Sequence, residues 1–196
     1  PARSATFLAC ERARAAGRTV YLDLDFRADQ WHDARAYGVV VRSLLPLVDV
    51  AFGTVEEVNA AMLQRVEDVE ITHQQISAPI VRGDVDANVA AMLSAPVGPE
   101  AVVLKRGREG ARIHLRGGEA LDAPGYPVEV VNVLGAGDAF AAGFIYGRTQ
   151  GWGWVRSARL GNACGAIVVT RHGCANFMAT LEEALALADA HGGLGA

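Results

Sequence analysis

One stretch of the chain has the residue types and spacing to handle a charged group. Asn132-Val133-Leu134-Gly135-Ala136-Gly137-Asp138-Ala139-Phe140-Ala141-Ala142-Gly143 passes from an apolar run into a helical pattern through closely spaced glycines. The side chains of Gly135-Ala136-Gly137 are too small to cover the backbone, so successive N–H groups are left bare and aimed toward one point. The N-terminus of the following helix adds partial positive charge, and together these features make an anion cradle. Asp138 is the unexpected member, because a carboxylate beside an anion site repels the anion. It has a chemical use if it takes a proton from a nucleophile attacking the bound anion. The same residues also read as a glycine turn followed by an Asp that the helix dipole favours, and local physics leaves both readings open.

Other polar clusters are less specific. Asp23-Leu24-Asp25-Phe26-Arg27, followed by Trp31, ends an apolar run in charges, as an ordinary solvated strand end also does. Gly53-Thr54-Val55-Glu56-Glu57 has the spacing of a capping box. Lys105-Arg106-Gly107-Arg108-Glu109-Gly110 is a charged glycine turn that a hairpin would equally need. The three cysteines, Cys10, Cys164 and Cys174, form no CxxC pair and read as reduced thiols. His172 and Cys174 stand two apart with no second pair, which argues against zinc. His32, His73, His114 and His191 lie in polar segments and are read as solvated. No GxxxxGKS/T motif is present, so a P-loop phosphotransferase is excluded.

Position by position, Asn132 through Ile145 resembles the second signature of the ribokinase-like (PfkB) carbohydrate kinases. The resemblance implies ATP and Mg²⁺, with Asp138 as catalytic base for a sugar hydroxyl. It implies that the amides of Gly135, Ala136 and Gly137 stabilise charge on the transferring γ-phosphoryl group. Asp23 to Arg27 with Trp31 is similar to the family's D-x-N-x-R…W segment, which implies substrate or phosphate contacts for Asp25 and Arg27. A guanidinium is a fixed fork of donors suited to phosphate or carboxylate. Asp25 stands where the family usually has Asn. Thr54 to Glu57 falls where the family has N-x-x-E, implying an indirect role for Glu57 in placing Mg²⁺; Thr54 lacks the amide donor of that Asn. Lys105, Gly107 and Gly110 resemble the nucleotide-side turn, and Asn162 falls on the family's helix beside the adenine, so these four are expected to bind nucleotide. Arg171-His172-Gly173-Cys174-Ala175, ahead of Met178-Ala179-Thr180, resembles a loop whose backbone lines a monovalent cation such as K⁺.

Within the family, Leu22 to Arg27 with Trp31, the glycine turn and Arg171 to Cys174 resemble the branch that phosphorylates the 6-hydroxyl of 5-dehydro-2-deoxy-D-gluconate in inositol catabolism. Kinases of 2-keto-3-deoxygluconate and fructose share the scaffold. A non-catalytic, nucleotide-binding remnant is the alternative of a different class. The family places its first strands, a β lid and most sugar contacts ahead of the segment seen here. The 196 residues are therefore expected to be the C-terminal nucleotide-binding and catalytic portion, with poor sugar binding and an exposed sheet edge. A dimer through the lid, common in the family, would need that preceding segment.

The elements that must position these residues follow an α/β alternation. A helix is expected over Ala5 to Ala16, then a strand at Val20 to Leu24 and a helix from Ala34 to Leu45, stopped by Pro46. A strand at Val48 to Phe52 precedes Thr54, the N-cap of a helix to Leu63. Between Gln64 and Pro99 only a helix over Asp84 to Leu93 is expected, with loop elsewhere. Ala101 to Lys105 pairs as a hairpin with Ala111 to Arg116, and Val128 to Val133 reads as a further strand. Helices follow at Ala136 to Gln150, Val155 to Thr170 and Thr180 to Ala190. The pattern predicts one unit over residues 1–196, a mostly parallel sheet flanked by helices with antiparallel additions.

Composition agrees. With 51% hydrophobic and 20% charged residues the chain is globular, and disorder is excluded. A formal charge of −4 argues against a nucleic-acid partner, and the family resemblance implies ATP and a sugar acid as the partners. No run approaches the ~20 apolar residues of a membrane helix, and no signal peptide is seen, so a cytoplasmic location is expected.

Overall fold

The computed structural model describes residues 2–31, 33–70 and 79–195. The chain falls into two compact units, Pro1–Leu104 with His114–Glu119, and Lys105–Ile113 with Ala120–Ala196.

In the first unit the chain runs α1 (Ala2–Ala15), β1 (Tyr21–Asp23), α2 (Ala34–Leu44), β2 (Val50–Gly53), α3 (Val55–Ala61), β3 (Val69–Glu70), β4 (Ile80–Val81), α4 (Val85–Ser94) and β5 (Ala101–Lys105). β2 lies between β1 and β5, parallel to both, with Val50 opposite Tyr21 on one side and Ala101 on the other. A strand paired on both sides and covered on both faces must be apolar throughout, and Val50–Gly53 is buried at every position. The helices bring their stripes to the same core. Tyr37, Val41 and Leu44 of α2, one helical turn apart, are buried with Val58 of α3 and Val89 and Met92 of α4. Asp33 caps α2 by accepting the Arg35 N–H at 2.8 Å, and Asp84 caps α4 by accepting that of Ala87 at 3.0 Å.

In the second unit β6 (Gly110–Leu115) and β7 (Ala120–Pro124) precede α5 (Ala136–Thr149), α6 (Trp154–Val169) and α7 (Leu181–Asp189). The strand order is β1-β2-β5-β6-β7, with β1, β2 and β5 parallel, which agrees with the expected mostly parallel sheet. α5 lies unusually close to α6: a Cβ on Gly161 would fall 2.7 Å from the Phe140 carbonyl oxygen, and one on Gly143 would fall 3.0 Å from that of Leu160. Leu160 and Ala163 of α6 share a second core with Ala184 and Ala188 of α7 and with Tyr126. Among the described residues, no helix is long and apolar enough to cross a membrane.

The helices match expectation to within a few residues at their ends, whereas the strands do so less well. Val128 to Val133 is not a strand: residues 125–134 run irregularly, and Val130, Val131, Val133 and Leu134 are all about half exposed, from 47% to 56%. The N–H groups of Val131 and Asn132 both go to the Val169 carbonyl at the end of α6, at 2.7 and 3.1 Å. Branched apolar residues favour a pleated surface only where a strand lies beside them, and among the described residues none pairs with these. Conversely, β7 was not anticipated, because Ala-Leu-Asp-Ala-Pro has no β-branched residue. The antiparallel pair β3–β4, Val69 opposite Val81, was likewise expected to be loop. The rest of that loop, with His73, lies outside the described residues, as does His32.

Candidate active site

The Gly135–Asp138 turn is built as its sequence requires. Gly135 is the N-cap of α5 in the left-handed region, at φ 83° and ψ 0°. That conformation is costly with a side chain, and a Cβ here would also lie 2.7 Å from Cys174 Sγ. Ahead of it, Asn132 Oδ1 accepts the Leu134 N–H at 3.0 Å and closes the approach. The Ala136 N–H turns back to the Val133 carbonyl through a long bond of 3.3 Å. Among the described residues, no acceptor meets the N–H of Gly135, Gly137 or Asp138, and no side chain caps the helix. A 14-residue helix therefore presents its positive end with bare donors. Asp138 is exposed, in the first turn of α5, and among the described residues its carboxylate has no hydrogen bond or ion pair.

The loop after α6 backs this turn. Cys174 Sγ and Met178 Cε are the atoms nearest the position a Gly135 Cβ would take, at 2.7 and 3.3 Å. All three cysteines carry free thiols, and burial pushes that of Cys164 up to about 11.

The nucleotide-side candidates are placed by β6 and β7. Gly107 and Gly110 both have positive φ, 58° and 93°. Gly110 has a second reason to be glycine, because a Cβ would run into the Ala123 carbonyl and the Gly125 N–H. Asn162, buried on α6, donates to the carbonyls of Ala123 and Pro124 at 2.9 and 3.0 Å. The structure thus uses the Asn162 amide group to hold the end of β7. Lys105 is half-buried at the end of β5, and its neighbour Arg106 pairs with Asp122 at 2.7 Å.

The remaining candidates belong to the first unit and are engaged locally. Asp25 adopts the left-handed region at φ 36°, which Asp tolerates better than most side chains. Its Oδ1 accepts from Arg27 Nε at 2.9 Å and pairs with Nη2 at 2.8 Å, both side chains being exposed. Glu57 completes a capping box: its Oε2 accepts the Thr54 N–H at 2.7 Å, while Thr54 Oγ1 accepts the Glu57 N–H at 3.3 Å. Beneath them, Tyr37 donates its buried hydroxyl to the Leu24 carbonyl at 2.8 Å. Burial, followed by the charges of Glu57, Asp23 and Asp25, pushes the Tyr37 pKa well up. Buried Asn59 was not anticipated: its amide nitrogen donates to the Val81 carbonyl, and its oxygen accepts from Asn88, both at 2.9 Å.

Residues 1–181 match the pfkB family carbohydrate kinases. The chain belongs to that family. A 5-dehydro-2-deoxygluconokinase from Geobacillus thermodenitrificans (strain NG80-2) is 32% identical over 183 residues, which are 93% of this chain and 50% of that protein. This PfkB chain spans about half the length of the curated relatives it matches. A ribokinase II candidate from E. coli, solved with ATP and Mg²⁺, aligns at a TM-score of 0.75 and 26% identity, over 93% of this chain and 52% of that one. Arabidopsis thaliana ribokinase, solved with ribose and ATP, gives a TM-score of 0.72 at 21% identity, over 94% and 52%, and is alike in fold.

Proposed function

We propose that this PfkB chain carries the phosphoryl-transfer site of an ATP-dependent sugar-acid kinase acting on 5-dehydro-2-deoxy-D-gluconate. The observation that carries the reading is the pairing, at the positive end of α5, of amides that meet no acceptor with an exposed carboxylate in the first turn that has no partner, both among the described residues. The N–H groups of Gly135, Gly137 and Asp138 receive the γ-phosphoryl oxygens, where charge must be stabilised without reorganisation. Ala136 contributes less than its neighbours, because its N–H already leans on Val133. Asp138 takes the proton of the sugar's primary hydroxyl as that oxygen attacks phosphorus and the bond to the β-phosphate opens. Lys105, Gly107 and Gly110 serve the nucleotide, with Asn162 acting by fixing β7.

Mg²⁺ would come bound to the nucleotide and would supply charge neutralisation at its phosphates. Among the described residues no three His, Cys, Asp or Glu side chains gather to hold a metal, and Glu57 is spent on its helix cap. The expected K⁺ would be held by backbone carbonyls of residues 171–175; the Phe177 and Met178 carbonyls beyond that segment accept from Arg171. The name shared by the relatives supports the sugar acid over 2-keto-3-deoxygluconate and fructose.

The second reading, a nucleotide-binding remnant, is favoured by the mutual pairing of Asp25 with Arg27 and by the capping of Glu57. The deciding assay is ATP-dependent phosphorylation of 5-dehydro-2-deoxygluconate against the other two sugars. Turnover that prefers the first sugar establishes the kinase. ATP binding with no turnover on any of them leaves the remnant.

A further inference from the structure

The segment that backs the glycine turn is held together by one side chain. Arg171 Nη1 donates to the carbonyls of Phe177 and Met178, at 2.9 and 3.1 Å, and its Nη2 reaches Glu183 Oε1 at 2.5 Å. Glu183 is itself anchored in the capping box of α7: its Oε2 accepts the Thr180 N–H at 2.8 Å, and its own N–H donates to Thr180 Oγ1 at 3.2 Å. The guanidinium therefore ties the end of α6, the loop and the start of α7 at one point. Such a planar fork of donors holds three acceptors with little loss of freedom. Within the loop, the Phe177 ring lies so close to Gly173 that a Cβ there would collide with it.

What the clamp holds in place is the contact with the cradle. Cys174 and Met178, the residues whose side chains meet Gly135, both lie in the clamped segment, and Met178 is itself one of the clamped carbonyls. Gly135 has a left-handed backbone and no side chain to anchor it, so its orientation depends on what it packs against. The directions of the Gly137 and Asp138 N–H groups, and of the Asp138 carboxylate, follow from that cap.

We propose that Arg171 is a positioning residue for the amide cradle, acting through Cys174 and Met178 on Gly135. The inference rests on reading the cradle as a phosphate site, but its test does not depend on catalysis. Amide hydrogen exchange over residues 133–139, read at the bonded N–H groups of Leu134, Ala136 and Ala139 and compared with α6 and α7, is measured in the full chain and in Arg171→Ala, Arg171→Lys and Glu183→Gln. MgATP affinity is measured alongside. Arg171→Ala is expected to raise exchange at 133–139 selectively and to weaken MgATP binding about tenfold, the scale of a lost charge-assisted hydrogen bond. Arg171→Lys, which cannot span three acceptors, should fall between it and the parent. Faster exchange at 172–180 with no change at 133–139 would overturn the proposal. If Arg171→Ala does not fold, the two milder variants decide: a selective rise at 133–139 supports it, and a uniform rise across α6 and α7 refutes it. A parent chain that exchanges as expected but does not bind MgATP would instead refute the phosphate reading.

Discussion

The Gly135–Asp138 turn and the pair of clusters at Asp25–Arg27 and Thr54–Glu57 are made of similar material and end in opposite states. Each combines carboxylates with backbone donors at a turn or helix start. In the first unit those groups satisfy one another: Arg27 closes on Asp25, and Glu57 closes on the Thr54 N–H. At the start of α5 they do not, since no side chain caps the helix and Asp138 has no partner among the described residues. Leaving donors unmade costs free energy that a cap would recover, so a helix start of this kind makes sense where a ligand supplies the missing acceptor. The motifs already set the glycine turn apart from the less specific clusters; hydrogen-bond bookkeeping gives that distinction a physical basis.

The largest expected effect tests the unpaired side directly. Asp138→Asn removes the proton acceptor while keeping size and polarity, and should cut turnover by roughly 10²–10⁴-fold. Its melting temperature should stay near that of the parent, because the carboxylate holds nothing in place, and MgATP affinity should hold or rise, because a charge that repels the phosphates is removed. A melting temperature that falls several degrees would show Asp138 to be structural and dissolve the contrast with Glu57. Gly135→Ala comes next. It adds left-handed strain and a Cβ 2.7 Å from Cys174 Sγ, and should cost about 2 kcal/mol, read as a lower urea midpoint at unchanged slope. Adding Cys174→Ala should return the part due to the collision and leave the part due to φ. No recovery at all would mean that backbone conformation alone makes glycine necessary there.

What the sequence disclosed follows the same division between local and relational features. The Thr54 cap and the stripe of α2 are local, and each stands where the residues put it. The glycine turn was legible for that reason too: small residues ahead of a helix leave donors bare whatever surrounds them. A strand needs a neighbour, which is why branched Val128 to Val133 looked like one and is not, while plain Ala120–Pro124 is. Arg171 shows the same limit at the site. Its loop was noticed, but two of its partners are carbonyls, which every residue has and no motif marks. Asn162 was noticed as a nucleotide contact, and its amide nitrogen turns out to hold the end of β7 through carbonyls of the same anonymous kind.

The satisfied side of the comparison is tested by a smaller change. Thr54→Ala removes the acceptor that receives the Glu57 N–H and should cost about 1 kcal/mol, the usual worth of an N-cap. Thr54→Asn should be close to neutral in stability, since Asn caps as well as Thr. If Glu57 acts only as a cap, neither variant should alter MgATP affinity at matched fraction folded. A gain in affinity with Asn, the residue usual in the family, would mean that this cluster also reaches the phosphates and belongs with the unpaired one.

The smallest effect is a dependence on pH at Glu183, whose carboxylate links a helix cap to the Arg171 clamp. The Thr180 N–H, followed by Arg171, holds its pKa below the ordinary carboxylate value of 4.5. A carboxyl lowered by folding contributes its stabilisation fully above the unfolded value and loses it as pH falls through the folded one. The hold on residues 171–180 should therefore be constant from neutrality down to about pH 4.5 and loosen only below it. Amide exchange in that segment, corrected for the intrinsic pH dependence, should rise in the acid limb ahead of exchange in α6. Glu183→Gln should flatten the acid limb while keeping a hydrogen-bond acceptor for Thr180. If the clamp carries its grip to Gly135, the 133–139 segment will loosen over the same interval in the parent and not in the variant. Were that segment indifferent to acid while the loop opens, the bare donors of the cradle would be held by α5 alone, and the two regions would differ in pairing without being linked by Arg171.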